Sequence, residues 1–314
     1  MSRGVIYATI AYLIWGVLPV YWKALGAVSA TQILSHRIVW SMVFLIILVT
    51  LKKEWPLLKR AFADRKIMIP AVLAACLLAV NWLTYIWGIN AGHVVETSLG
   101  YFINPLVNVL LGVIFLRERL RPWQWAPVGL AGLGVLYLTV SHGSLPWIAL
   151  TLAFSFGLYG LAKKLASLEA LGGLTLEMGI LFVPALAYLV YMDGQGMGAF
   201  GRLGSEATLL LAGTGVVTAI PLLLFGMGAR RIHMTTLGLL QYIAPTCQLL
   251  LGVLLYREPF TWASLVGYGM IWLALLIYTT EGFLQQRKAA ISRRDTTSKK
   301  LQSKQVEGEV YASK

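Results

Sequence analysis

Charge is scarce in this chain, and cysteine and histidine are scarcer still. Of 314 residues 12% are charged, two are cysteine and four are histidine. A soluble domain carries charge on about a quarter of its residues, so a free-standing globular fold is excluded. Cys76 and Cys247 both fall inside apolar runs; they make no disulfide framework and are expected to pack as small apolar side chains. There is no GxxxxGK followed by Ser or Thr, so nucleotide hydrolysis through a P-loop is excluded, and HExxH, CxxC and GxSxG are missing too. GMGAFG at 196–201 spells GxGxxG, but without a strand before it this stretch reads as a flexible linker, not a dinucleotide site. No cofactor or metal is expected.

What the chain has instead is hydrocarbon. It is 58% hydrophobic with a mean hydropathy of +0.73. Apolar runs of about 20 residues, the length that crosses a bilayer core, recur from end to end. Spans are expected near 4–22, 33–51, 67–90, 95–116, 123–140, 145–162, 174–192, 207–228, 234–255 and 261–280. The first is expected to stay as a helix, because its apolar stretch outruns a signal peptide's h-region of about 7–15 residues. The fold class is therefore an all-α polytopic membrane protein with ten transmembrane helices.

A net charge of +13 raises the question of nucleic acid, and the placement of the charges answers it. With the N-terminus in the cytoplasm, fourteen Lys and Arg fall on inner segments before residue 281 and three, Lys23, Arg202 and Arg257, on the outer side. This is the positive-inside bias, which orients both termini to the cytoplasm and excludes a nucleic-acid partner. The segment 281–314 is polar and basic, and is expected to be a disordered tail that solubilises the chain or rests on anionic lipid.

Shifting the sequence by 140 residues lays INPLVNVLLGVIFLRE (103–118) over IAPTCQLLLGVLLYRE (243–258), with eight identities in sixteen positions. Upstream, Trp15-Gly16 with Lys23 is echoed by Phe156-Gly157 with Lys164. Two related halves follow, 1–140 and 145–280, of five helices each. Five is odd, so the second half enters the membrane inverted. Inverted repeats with interrupted helices in matching positions characterise secondary transporters, whose sites lie near the midplane.

The Pro–LLG–E pattern followed by WQWAPVGLAGLGV resembles the EamA-type repeat of the drug/metabolite transporter superfamily. YLIWGVLPVYWK, ILSHRIVW, NWLTYIWGIN, ETSLGYFINPLVN and GSLPWIALTLAFSFGLYGL resemble, more closely, its RarD-type permeases. The resemblance runs over residues 4–280. It implies ten helices and a central cavity lined mainly by spans 1, 3, 4, 6, 8 and 9, and it implies little about substrate, because family members carry very different metabolites.

Pro105 and Pro245 sit near the middle of spans 4 and 9 as helix breaks, and each frees a carbonyl four residues earlier. In lipid such groups are tolerated where they face protein or a wet cavity. Tyr101, Asn104 and Asn108 share a helical face with Pro105; Gln241 and Gln248 share one with Pro245. These five, with Trp15 from span 1 (beside Tyr12 and Pro19) and Asn81 and Tyr85 from span 3 (beside Thr84 and Gly88), are the cavity candidates. The alternative is amide bonding between helices beside a structural kink. Trp22, Trp82, Trp87 and Trp147 read as interfacial or packing aromatics. Intramembrane ionisable groups are His36, Arg37, Glu96 and Glu177, candidates for coupling or, lying near span ends, for snorkelling. Glu96, Glu118 and Glu258 are each placed to favour the N-terminus of the helix that follows.

The expected function is a secondary transporter, a permease with export as the expected direction. It would move a small neutral or zwitterionic amphipathic solute, a metabolite or drug-like molecule, across the bacterial cytoplasmic membrane by alternating access. Proton coupling through Glu96, Glu177 or His36 and the oligomeric state stay open. The rival is a membrane-embedded enzyme or lipid-handling protein, against which stands the lack of a nucleophile, metal or paired-carboxylate constellation at the midplane.

Overall fold

The computed structural model describes residues 2–91, 94–141 and 147–255, then scattered positions between 262 and 281; the side chains at 89, 90, 94–96, 98, 138, 141 and 252 lie outside this description. The helices run α1 (Arg3–Ala24), α2 (Ala30–Leu51), α3 (Trp55–Ala63), α4 (Arg65–Asn90), α5 (Val94–Phe115), α6 (Pro122–Ser141), α7 (Trp147–Leu165), α8 (Ala170–Gly194), α9 (Ser205–Ala229), α10 (Met234–Gln241) and α11 (Ile243–Leu250). A π-helical turn, Leu251–Leu255, follows. The described positions from Trp262 to Glu281 are helical as well. No strand occurs among the described residues.

Among the described residues seven helical segments are long and apolar enough to cross a membrane. Their outward faces carry bare hydrocarbon: Leu13, Val17, Ile47, Leu73, Val183 and Leu209 are exposed, while Gln32, Asn81, Asn104, Asn108 and Gln241 are buried. A soluble surface does not present apolar patches of that extent, so this one is solvated by lipid. Small residues set the helix spacing. At Gly215 of α9 an added Cβ would come 2.3 Å from the Trp40 carbonyl carbon of α2, and the Ser41 hydroxyl donates to the Gly215 carbonyl at 3.1 Å. Backbone contact of this kind is how helices associate where no hydrophobic force separates them from lipid.

Three expectations change here. Pro105 does not break its helix: α5 continues through it, losing one backbone bond while α7 and α10 pack along its length. Near Pro245 the helix is interrupted at one residue, Tyr242, between α10 and α11, and the Tyr242 backbone stays in the α region at φ −60° and ψ −16°. The stretch 55–63, which falls between two expected spans, is the helix α3, with Pro56 in its first turn and Leu58 and Ala61 buried. Glu118 serves not the helix after it but α10. Its carboxylate accepts from the Met234 and Thr235 amides at 2.7 and 3.1 Å and from the Thr235 hydroxyl at 2.8 Å. A carboxylate there offsets the dipole of that N-terminus. Glu258 lies outside the described residues. The GMGAFG stretch is pinned rather than loose: Gln32 donates to the Met197 carbonyl and accepts from the Ala199 amide, each at 2.9 Å, and Phe200 stacks on His36 at 5.5 Å.

Candidate functional site

At the centre of the bundle is a cavity of about 140 Å³, walled by α1, α2, α4, α5, α7, α9, α10 and α11. Drug-sized sites run to roughly 300–1,000 Å³, so in this conformation it fits only a compact solute. Pro19 of α1 and the α10–α11 break both reach it, which puts irregular backbone where it meets a cavity instead of lipid. Of the sequence candidates, Trp15, Asn81, Tyr85, Tyr101, Asn104, Gln241, Pro245 and Gln248 come together on its wall, joined by Tyr12, Pro19 and Arg37.

Asn108 and Pro105 sit behind that wall. The Asn108 amide donates to the Asn104 carbonyl oxygen at 3.1 Å and to the Gln241 carbonyl oxygen at 2.7 Å, stitching α5 to α10; its own side-chain oxygen is buried without a partner. Asn104 donates in turn to the Ala153 carbonyl of α7 at 2.9 Å. The helices meet closely here, since a Cβ on Gly238 of α10 would fall 2.5 Å from the Pro105 carbonyl oxygen. Asn81 donates to the Leu152 carbonyl and the Ser155 hydroxyl at 2.9 and 3.0 Å, and Gln248 to the Trp15 carbonyl at 3.1 Å. The amides therefore both bridge helices and, all but Asn108, face the cavity.

Aromatic rings supply the rest. Trp15 meets Phe156 edge to face at 5.7 Å, and Tyr85 meets Tyr101 at 5.8 Å. Trp22 and Trp82, read from the sequence as interfacial or packing residues, border the cavity and flank Arg37, whose guanidinium carbon lies 4.8 and 4.7 Å from their ring centroids. The sequence signal for this group was the arginine inside an apolar span; the rings beside it come from other helices. Trp87 and Trp147 pair at 5.4 Å on the exposed surface.

The other ionisable candidates stand apart. Glu177 is buried and bonded to the Lys163 ammonium at 2.7 Å and the Tyr159 hydroxyl at 3.1 Å. Lys163, one of the fourteen charges counted on the inner segments, is buried with it. His36 is buried beside the 196–201 loop with Nδ1 unpartnered. Neither Glu177 nor His36 snorkels to water, and the Glu96 side chain lies outside the described residues. No cluster of metal-ligating side chains occurs among the described residues.

Apolar helices with bare outer faces around a polar, aromatic cavity make this a multi-pass membrane protein. Residues 2–140 match the EamA-like transporter family. Protein RarD of Streptomyces exfoliatus is 44% identical over 289 residues, 91% of each chain, and the uncharacterized transporter YojE of Bacillus subtilis is 44% identical over 281 residues, 88% of this chain and 94% of its own. The chain belongs to the EamA-like transporter family, among its RarD-type members. A solved crystal structure aligns over 89% of this chain and 98% of its own with a TM-score of 0.68 at 19% identity, which shows a shared fold.

Proposed function

We propose that the protein is a secondary transporter that moves a small amphipathic metabolite or drug-like solute across the bacterial cytoplasmic membrane by alternating access. The observation that carries this reading is the central cavity with the α10–α11 break on its wall, where amides and rings converge between helices of both halves. The architecture proposed is ten spans in two inverted halves, 1–140 and 145–280, both termini cytoplasmic and 281–314 a dispensable tail. Packing supports it: α1 lies on α11 where its repeat mate α7 lies on α5, and α2 lies on α9 where α8 lies on α4. Gly16 closes on Cys247 as Gly157 closes on Val107, each position the repeat mate of the other, and the mates Trp15 and Phe156 meet ring to ring. The names of the relatives point the same way.

Orientation is checked by reporter fusions. Those placed after Ser141 and after Gly196 should read external, those after Arg65 and Ala166 cytoplasmic; the reverse pattern would overturn the cytoplasmic termini, and Ser141 and Arg65 reading on the same side would remove the inverted-repeat reading. Transport is checked in proteoliposomes, where solute crosses without chemical change, whereas product formation would favour the enzyme. The structure also separates two substitutions. Gln248→Leu should depress flux per folded molecule beyond the modest loss of Tm that follows from its bond to the Trp15 carbonyl, because it alters the cavity wall. Asn108→Leu strips Asn104 and Gln241 of their shared donor and should cost about 1 kcal/mol of stability, the size of measured intramembrane hydrogen bonds. Equal flux in Gln248→Leu and wild type would place the site elsewhere.

A further inference from the structure

The cavity wall holds one formal charge, and it has no counter-ion. Arg37 is the sole ionisable cation among the lining residues, and no Asp or Glu lines the cavity with it. Its guanidinium is clamped between the rings of Trp22 and Trp82, and its Nε donates to the Thr218 hydroxyl at 3.0 Å. Among the described residues no carboxylate lies within ion-pair reach and no protein acceptor takes the remaining guanidinium N–H groups, which leaves four of the five donors for the cavity. Indole faces attract the charge but accept no conventional hydrogen bond from the fork. An arginine held within a membrane span without a partner is costly, and the fork matches a two-oxygen anion in bidentate geometry.

Resting on the transporter reading above, we propose that Arg37 is the anion anchor of the cavity and that the transported solute is a compact amphipathic carboxylate. Its carboxylate sits in the guanidinium fork and its apolar body lies toward Trp15 and Phe156. A single cation favours a monoanion over phosphate, whose second charge would go unmatched. The side-chain oxygens of Asn81 and Gln248, which accept nothing within the described residues, are free to receive a hydrogen-bond donor on the solute. The sequence reading of a neutral or zwitterionic solute is thus narrowed to one with an anionic end.

The test uses full-length purified protein and matched pairs: benzoate, phenylacetate and octanoate, each against its primary amide, with inorganic phosphate and phosphatidylglycerol as further arms. Binding is read by Tm shift and by quenching of tryptophan fluorescence. At least one carboxylate should raise Tm and quench while its amide does neither, and Arg37→Gln should weaken that binding by about ten- to hundredfold, the scale of charged hydrogen bonds. A merely structural Arg37 predicts a lower Tm for Arg37→Gln; an unpaired anchor predicts a Tm unchanged or raised. The proposal is overturned if no acid is preferred over its amide, if Arg37→Gln keeps the preference, or if phosphate or phosphatidylglycerol displaces every carboxylate. Flux of the same probes in proteoliposomes keeps the two readings apart. A bound carboxylate that does not cross leaves the anchor and removes the transporter, while equal flux of acid and amide leaves the transporter and removes the anchor.

Discussion

Glu177→Leu should lower the stability of the detergent-solubilised protein by about 3–5 kcal/mol, because it leaves a buried ammonium without its anion. The side chains of Lys163 and Glu177 are 4% and 3% exposed, and the bond between them is 2.7 Å. Taking two ions out of water costs nearly as much as their attraction returns, so the pair itself contributes little; the lone survivor is what destabilises. The double substitution Lys163→Met with Glu177→Leu should therefore recover most of the loss. It should still fall short of wild type by about 1–2 kcal/mol, since the Tyr159 hydroxyl that donates to Glu177 at 3.1 Å then lies buried without an acceptor. Thermal unfolding of the four members of this cycle checks it. A double variant no more stable than either single one would mean the two charges act independently.

Gly215→Val should be the most damaging glycine substitution on a face that touches no solute. The Cβ position lies 2.3 Å from the Trp40 carbonyl carbon, 2.4 Å from its oxygen and 2.7 Å from the Ser41 nitrogen, all backbone atoms that no rotamer change moves aside. Helices α2 and α9 must part, breaking the bond from the Ser41 hydroxyl to the Gly215 carbonyl and the packing along both helices. Overpacking costs about 1–3 kcal/mol where side chains give way, and a backbone obstacle belongs at or above the top of that range. Gly129→Ala is the control. Nothing lies within 4 Å of a Cβ there, so alanine should stabilise α6 by roughly 0.5–1 kcal/mol. Monodispersity and Tm measured side by side decide it, and a well-folded Gly215→Val protein would show that α2 and α9 do not meet as described.

Periodicity and length made most of the helices legible, because a bilayer selects apolar runs of one size regardless of tertiary context. The shared face of Tyr101 and Asn104, and that of Gln241, Pro245 and Gln248, could be read from spacing alone, and all five border the cavity. Spacing placed Asn108 on the same face as well, yet it stops one layer short, held off by Gln241 across the helix boundary. What stayed hidden depended on partners distant in sequence. Nothing near Glu118 announces that it closes the first turn of a helix more than a hundred residues on. Lys163 sits at the end of an apolar run, where a count of loop charges must take it, and only the neighbouring helix α8 reveals its carboxylate. Arg37 was visible as an intramembrane charge, but its direction was not, because the rings that hold it come from α1 and α4.

Helix α10 is fastened to the α5 side of the molecule at three heights. Glu118 grips its first turn, Gly238 rests against the Pro105 carbonyl at its middle, and Gln241 takes the Asn108 amide at its end. Eight residues of helix, about 12 Å, are thus bolted along a rod that runs unbroken through its own proline. Three attachments along so short a helix tie the position of α10 to that of α5. At Tyr242 the fastening stops, and because Pro245 has no N–H to give, the backbone ladder lacks a rung between α10 and α11. The fastened helix and the missing rung thus sit next to each other along one stretch of chain, on either side of Tyr242.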